Sequence, residues 1–118
     1  MATSYLNDGA VIDYVAGSAI TSGDVVAMND TVGIAMDDIA SGSTGPVRIE
    51  GVFSVTKTAG VAWVVGDSID WDASTSSFHK GITPAAGDIA LCCVCVEAAD
   101  SSATTGKVKL TPGTGTGS

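Results

Sequence analysis

The chain has 118 residues, 45 % of them apolar but only two each of Trp, Tyr and Phe, and it sets 13 Asp and Glu against five Lys and Arg for a formal net charge of −8. Nucleic-acid affinity rests largely on Lys and Arg meeting phosphates, so nucleic acid is not an expected partner. No run approaches the roughly 18 consecutive apolar residues of a membrane span, so no membrane is expected either.

A length of this order matches one domain with its own core. A core of Val, Ala and Ile favours sheets over helices. The start, "MATSYLNDGAV", lacks the basic residues and apolar stretch of a secretory signal, which implies a protein kept in a cytosol or in a particle assembled there. Residues 1–7 read as a polar arm whose Tyr5 and Leu6 are candidates for contact with a partner, and residues 8–110 as the β domain.

Along that domain, short apolar runs alternate with turn-forming clusters such as "SGSTGP", "DASTSS" and "SSATTG". The runs are "DVVAM", "VGIAM", "PVRIEGVFSV", "SIDW", "IALCCVCVEA" and "KVKL". Val47 and Ile49 alternate with Arg48 and Glu50, and Val108 and Leu110 with Lys107 and Lys109, as in strands that are buried on one side. "MDDIASG" reads as a polar corner after a strand at Val32–Met36, because the adjacent Asp37 and Asp38 point to opposite faces and suit no shared acid–base work. Trp63 in "GVAWVVG" and Phe78 in "SSFHK" are the further candidates for an exposed contact, although Trp63 reads more readily as a core residue in a chain with few aromatics.

"IALCCVCVEAA" is apolar throughout and suits a central strand; periodicity alone leaves a buried helix open, and β-branched content and length favour the strand. Alternation there puts Cys93 and Cys95 on one face and Cys92 on the other, all reading as reduced, buried thiols. A zinc site of Cys93, Cys95 and His79 lacks the second ligand pair that zinc sites use. The tail "TPGTGTGS", residues 111–118, has nothing to bury and reads as flexible.

Gly-Asp recurs in "SGDVVAM", "VGDSIDW" and "AGDIALC". A phosphate loop is excluded: in "SSATTGKV" Ser101 stands where the first glycine is needed and Val108 where the hydroxyl residue is needed. No calcium loop fits "DWDASTS" either, since counting from Asp70 puts Thr75 at the glycine position and Gly81 at the glutamate position. Asp70 and Asp72 then read as turn and strand-end residues. His79 has no nucleophile elbow near it, so no catalytic, cofactor or metal site is expected. What remains for Gly-Asp is turn chemistry: glycine supplies positive φ, aspartate bonds nearby backbone, and strands begin near Val25, Ser68 and Ile89.

The order of these features resembles a known family. Gly33-Ile34-Ala35, Ile39-Ala40, Gly42 and Gly45, then Glu50-Gly51-Val52-Phe53, Lys57, Ala59-Gly60, Gly66-Asp67 and Trp71-Asp72 resemble the capsid cement, or decoration, proteins of tailed phages. "DGAVIDYVAGSAITSGDVVAM" is similar to that family's opening hairpin, and the likeness runs from Asp8 to Leu110. Some members carry the label of predicted RecA/RadA phage recombinase, which an acidic chain without a nucleotide loop contradicts.

The resemblance implies an all-β fold, a small antiparallel barrel or jelly-roll-like sandwich with little helix. It also implies a structural, non-enzymatic role on the outer surface of the virion, where the protein holds neighbouring subunits of the major capsid protein together. The expected partners are the major capsid protein and further copies of the chain, as a dimer or trimer, with no cofactor. A β-sandwich module for another ligand such as carbohydrate is the alternative, though it would need several exposed aromatics.

Overall fold

The computed structural model describes residues 9–82 and 85–117, and every regular element among them is a strand. β1 (Val11–Val15), β2 (Val25–Met28), β3 (Thr31–Ala35) and β4 (Thr44–Arg48) form an antiparallel sheet in the order β1-β4-β3-β2. β5 (Gly51–Thr56), β6 (Ser68–Asp72), β7 (Ser77–His79), β8 (Ile89–Glu97), β9 (Thr105–Leu110) and β10 (Thr116–Gly117) form the second, in the order β5-β9-β8-β6-β7 with β10 also paired to β8.

The run "PVRIEGVFSV" supplies one strand to each sheet rather than a single strand. Gly51 adopts φ +118°, a conformation that side chains resist, and the Arg48 Nε donates to the Glu50 carbonyl at 2.8 Å across the corner. The second sheet curls until its ends meet: Lys57, just past β5, bridges Phe78 of β7 in parallel, and the Thr58 N–H donates to the Phe78 carbonyl at 3.1 Å. The result is a β-sandwich whose larger layer is rolled toward a barrel.

Strand period decides which residues meet inside. In β9, Gly106, Val108 and Leu110 are buried while Lys107 and Lys109 face water. Val32 and Ile34 of β3 face the second sheet and join Trp63, Ile69, Trp71, Phe78, Ile89 and Leu110 in the main core, where the Trp71 and Phe78 rings pack at 5.0 Å and 56°. Ala35, one residue on, lies on the opposite face with Val26, Ile39 and Val47 in a smaller cluster.

The three Gly-Asp sequences are three copies of one turn, and strands start at Val25, Ser68 and Ile89. Gly23, Gly66 and Gly87 take φ of +90°, +94° and +87°, as the third position of a type II turn requires. Each aspartate closes its turn reciprocally. The Asp24, Asp67 and Asp88 amides donate to the carbonyls of Thr21, Val64 and Ala85, whose own N–H groups donate back to the aspartate carboxylates at 3.0, 2.7 and 2.8 Å. The backbone that each aspartate side chain bonds thus lies three residues back.

The cysteines depart from simple alternation. Between the pairs Ile69–Cys93 and Trp71–Ile89, β8 carries two more residues than β6, and Leu91 sits at φ +56° in this bulge. The twist brings the Cys92 and Cys93 sulfurs to 3.8 Å on the same core, instead of placing Cys92 on the other face. All three thiols are free and buried. The Cys92 thiol hydrogen bond, and then burial, push the Cys93 thiol far above its ordinary pKa, so the reactive thiolate is disfavoured. A disulfide-exchange reagent at pH 8 is therefore expected to leave all three thiols unmodified in the native protein and to label three after denaturation; rapid labelling without denaturant would show that this core opens.

The flexible tail expected over 111–118 is corrected for its described part. Thr116 and Gly117 pair with Ala90 and Ile89, the Gly117 N–H donates to Asp30 Oδ1 at 2.8 Å, and the Gly113 N–H to Thr31 Oγ1 at 3.0 Å. Backbone pairing and the Thr111 hydroxyl, which donates to the Cys92 carbonyl at 3.0 Å, tie it down without an apolar side chain to bury, which explains why composition missed it.

Candidate interaction surfaces

Two apolar surfaces stand out. The first is the loop of residues 58–66, which leaves β5 and returns to β6. Its tryptophan turns inward: Trp63 is 1 % exposed, and its backbone exchanges hydrogen bonds with Ala99 in both directions at 2.9 and 3.0 Å. The Gly60 N–H donates to Ser101 and the Gly66 N–H to Cys95, so the loop is anchored at its start, middle and end. With the backbone held inward, Val61, Val64 and Val65 are left 49, 60 and 63 % exposed, and residues 59–66 include no ionisable group.

Beneath this loop lies Lys57, only 2 % exposed. Its Nζ donates to the carbonyls of Thr58 and Ala103, both at 3.3 Å, and stands 5.6 Å from the centre of the Trp63 ring. Among the described residues no carboxylate is paired with it. The carbonyls and the electron-rich ring face together take the place of a counter-ion.

The second surface is a groove of about 420 Å³ where the β2 end of the first sheet stands over β5, β6 and β7. Val25, Phe53, Val55, Trp71 and Phe78 form its apolar floor, and Met36, 45 % exposed, stands at its mouth.

Charge is distributed unevenly around these surfaces. Lys80 pairs with Asp67 at 3.1 Å and Lys107 with Glu97 at 2.9 Å. The Val64 amide, and then Lys80, hold the Asp67 carboxyl below its usual range; the Ser74 hydroxyl does the same for Asp72. His79 Nε2 lies 3.5 Å from Asp72 and makes no hydrogen bond. No group of three His, Cys, Asp or Glu among the described residues is placed to hold a metal ion.

Of the contact residues expected from sequence, Tyr5 and Leu6 lie outside the described residues. Trp63 and Phe78 are each 1 % exposed, which corrects the expectation that they form an open contact face. Trp63 is a core residue that fixes the loop from below, and Phe78 reaches a surface only as floor of the groove. The valines of the loop were missed because an apolar run reads as buried. Only the inward turn of Trp63 shows that its neighbours face out.

A two-layer β domain that offers water an anchored apolar loop and an apolar groove has surfaces of the kind that mark contact with other macromolecules. The chain belongs to the phage cement protein family, whose model matches residues 6–110. A search of curated proteins finds no match. Membership associates the chain with capsid proteins and with the virion.

Proposed function

We propose that the protein is a head decoration protein that binds the outer surface of the capsid and bridges neighbouring major capsid protein subunits, as a dimer or trimer and without catalysis or cofactor. It is made in the host bacterial cytoplasm and contacts neither nucleic acid nor membrane. The observation that carries this reading is the 58–66 loop, an uncharged apolar surface held in place before any partner arrives. Preorganisation of this kind spares the ordering cost of binding.

Covering three half-exposed valines is worth only a few kcal/mol per copy, on the order of 25 cal/mol per Å². Many copies bridging adjacent subunits add through multivalency, and preference for the assembled shell stabilises it by mass action. The arm with Tyr5 and Leu6 contributes a second contact. A carbohydrate module is disfavoured because Trp63, Trp71 and Phe78 are buried and the large apolar residues that are exposed among the described residues are aliphatic.

The test is co-sedimentation with capsids of the cognate phage prepared without the protein. Wild type is expected to saturate at a fixed ratio to capsid subunits and to raise the shell's resistance to heat. Val64→Asp/Val65→Asp is expected to weaken binding by at least about tenfold with its melting temperature retained, as a charge introduced at the centre of an apolar contact should. Removing residues 1–7 should weaken binding less. Absence of wild-type binding would remove the cement reading from this chain.

A further inference from the structure

We propose that the groove between the β2 end of the first sheet and β5, β6 and β7 is the seat for an extended segment of the major capsid protein that carries an apolar side chain next to a Lys or Arg. This rests on the capsid-binding reading and adds a further, chemically distinct contact to it. The volume, about 420 Å³, accepts a large side chain and the backbone beside it, and the aromatic and aliphatic floor selects an apolar one.

The mouth sets the charge of what sits next to that anchor. Asp24 lies on the continuation of the groove past Thr56, Trp71 and Ser76. Asp38 holds the Ser22 N–H, on the groove wall, at 2.8 Å, and Asp37 lies between Asp38 and Met36 with no hydrogen-bond or ion-pair partner among the described residues. No Lys or Arg lines the groove. A second copy of this chain, with net charge −8, would bring more acid to that rim, so a basic segment from another protein is the complementary occupant.

Two variants probe the two halves of this recognition, with empty capsids of the cognate phage as the probe. Thr56→Trp fills the groove from an exposed position on β5 and is expected to weaken capsid binding by about tenfold, as blocking an anchor pocket does. Asp37→Lys reverses an exposed charge next to Met36 of the groove, one with no hydrogen-bond or ion-pair partner among the described residues, without touching the core. It is expected to weaken binding by roughly three- to tenfold at low ionic strength, with the deficit shrinking as salt is added.

Each variant is first shown to melt as the wild type does. If Thr56→Trp fails that check, Asp37→Lys and its salt dependence decide alone. Wild-type binding with both variants unchanged overturns groove docking while the cement reading stands; no binding by wild type overturns both. Loss of self-association in Thr56→Trp with capsid binding intact assigns the groove to a second copy and also overturns the proposal.

Discussion

Gly106→Ala is expected to destabilise the protein by about 3 kcal/mol, at the upper end for a single added methyl group, because there is no space into which that methyl can go. A Cβ built on Gly106 would run into Trp63 Cζ3 and lie 2.7 Å from Cε3. The indole cannot yield, since its backbone is held by Ala99 on both sides and Lys57 lies on its face. Either β9 leaves its register with β5, where Gly106 faces Val55, or Trp63 leaves the core and takes the loop with it.

Trp63→Leu alone is expected to cost about 3 kcal/mol through lost packing. Adding Gly106→Ala to it should cost little more, because the smaller side chain vacates the disputed space. Chemical denaturation of the two single variants and the double reads the coupling directly, and additive losses would show that the two residues do not share that contact. Because the same tryptophan positions the valine loop, Gly106→Ala should also weaken capsid binding at temperatures where the variant remains folded.

The division between what sequence and structure each reveal follows from range. The Gly-Asp turns are local, requiring one glycine at positive φ and one carboxylate within three residues, and they mark the starts of β2, β6 and β8 in the bare sequence. β9 is legible for the same reason, its alternation needing no knowledge of the partner strand. β7 is not, because three residues carry no period and exist as a strand only by pairing with β6 and Lys57.

The contact surfaces are legible least of all. Val61, Val64 and Val65 have the composition of a core, and they are exposed only because Ala99, Ser101 and Cys95 hold their backbone from another part of the chain. The groove depends on how two sheets meet, which no window of sequence contains. Exposure of an apolar residue is a tertiary property. An apolar contact surface of the proposed kind therefore leaves no local motif in the sequence, whereas a catalytic site usually does.

Asp70 illustrates the same limit from the polar side, and its replacement carries the other large expected effect. In sequence it reads as a strand-end residue; in the fold it is 3 % exposed, and its carboxylate accepts three backbone N–H groups, those of Gly81 and Ile82 on Oδ2, both at 3.1 Å, and that of Leu91 on Oδ1 at 2.6 Å. One side chain thus joins β6 to the segment after β7 and to the bulge of β8, and it satisfies the amide of a leucine held at φ +56°. Asp70→Ala leaves three donors without that acceptor and is expected to cost about 4 kcal/mol, each unsatisfied buried group accounting for roughly 1 kcal/mol or more. Asp70→Asn separates shape from chemistry. It has one oxygen, so either the Gly81–Ile82 pair or Leu91 must face an amide NH2 group, and about 3 kcal/mol should still be lost despite the matched volume. Urea denaturation gives the free energies, and hydrogen exchange at Gly81, Ile82 and Leu91 gives the location: all three amides should exchange faster in the alanine variant. An asparagine variant as stable as wild type would mean that packing around Asp70, not its two acceptor oxygens, holds the bulge in place.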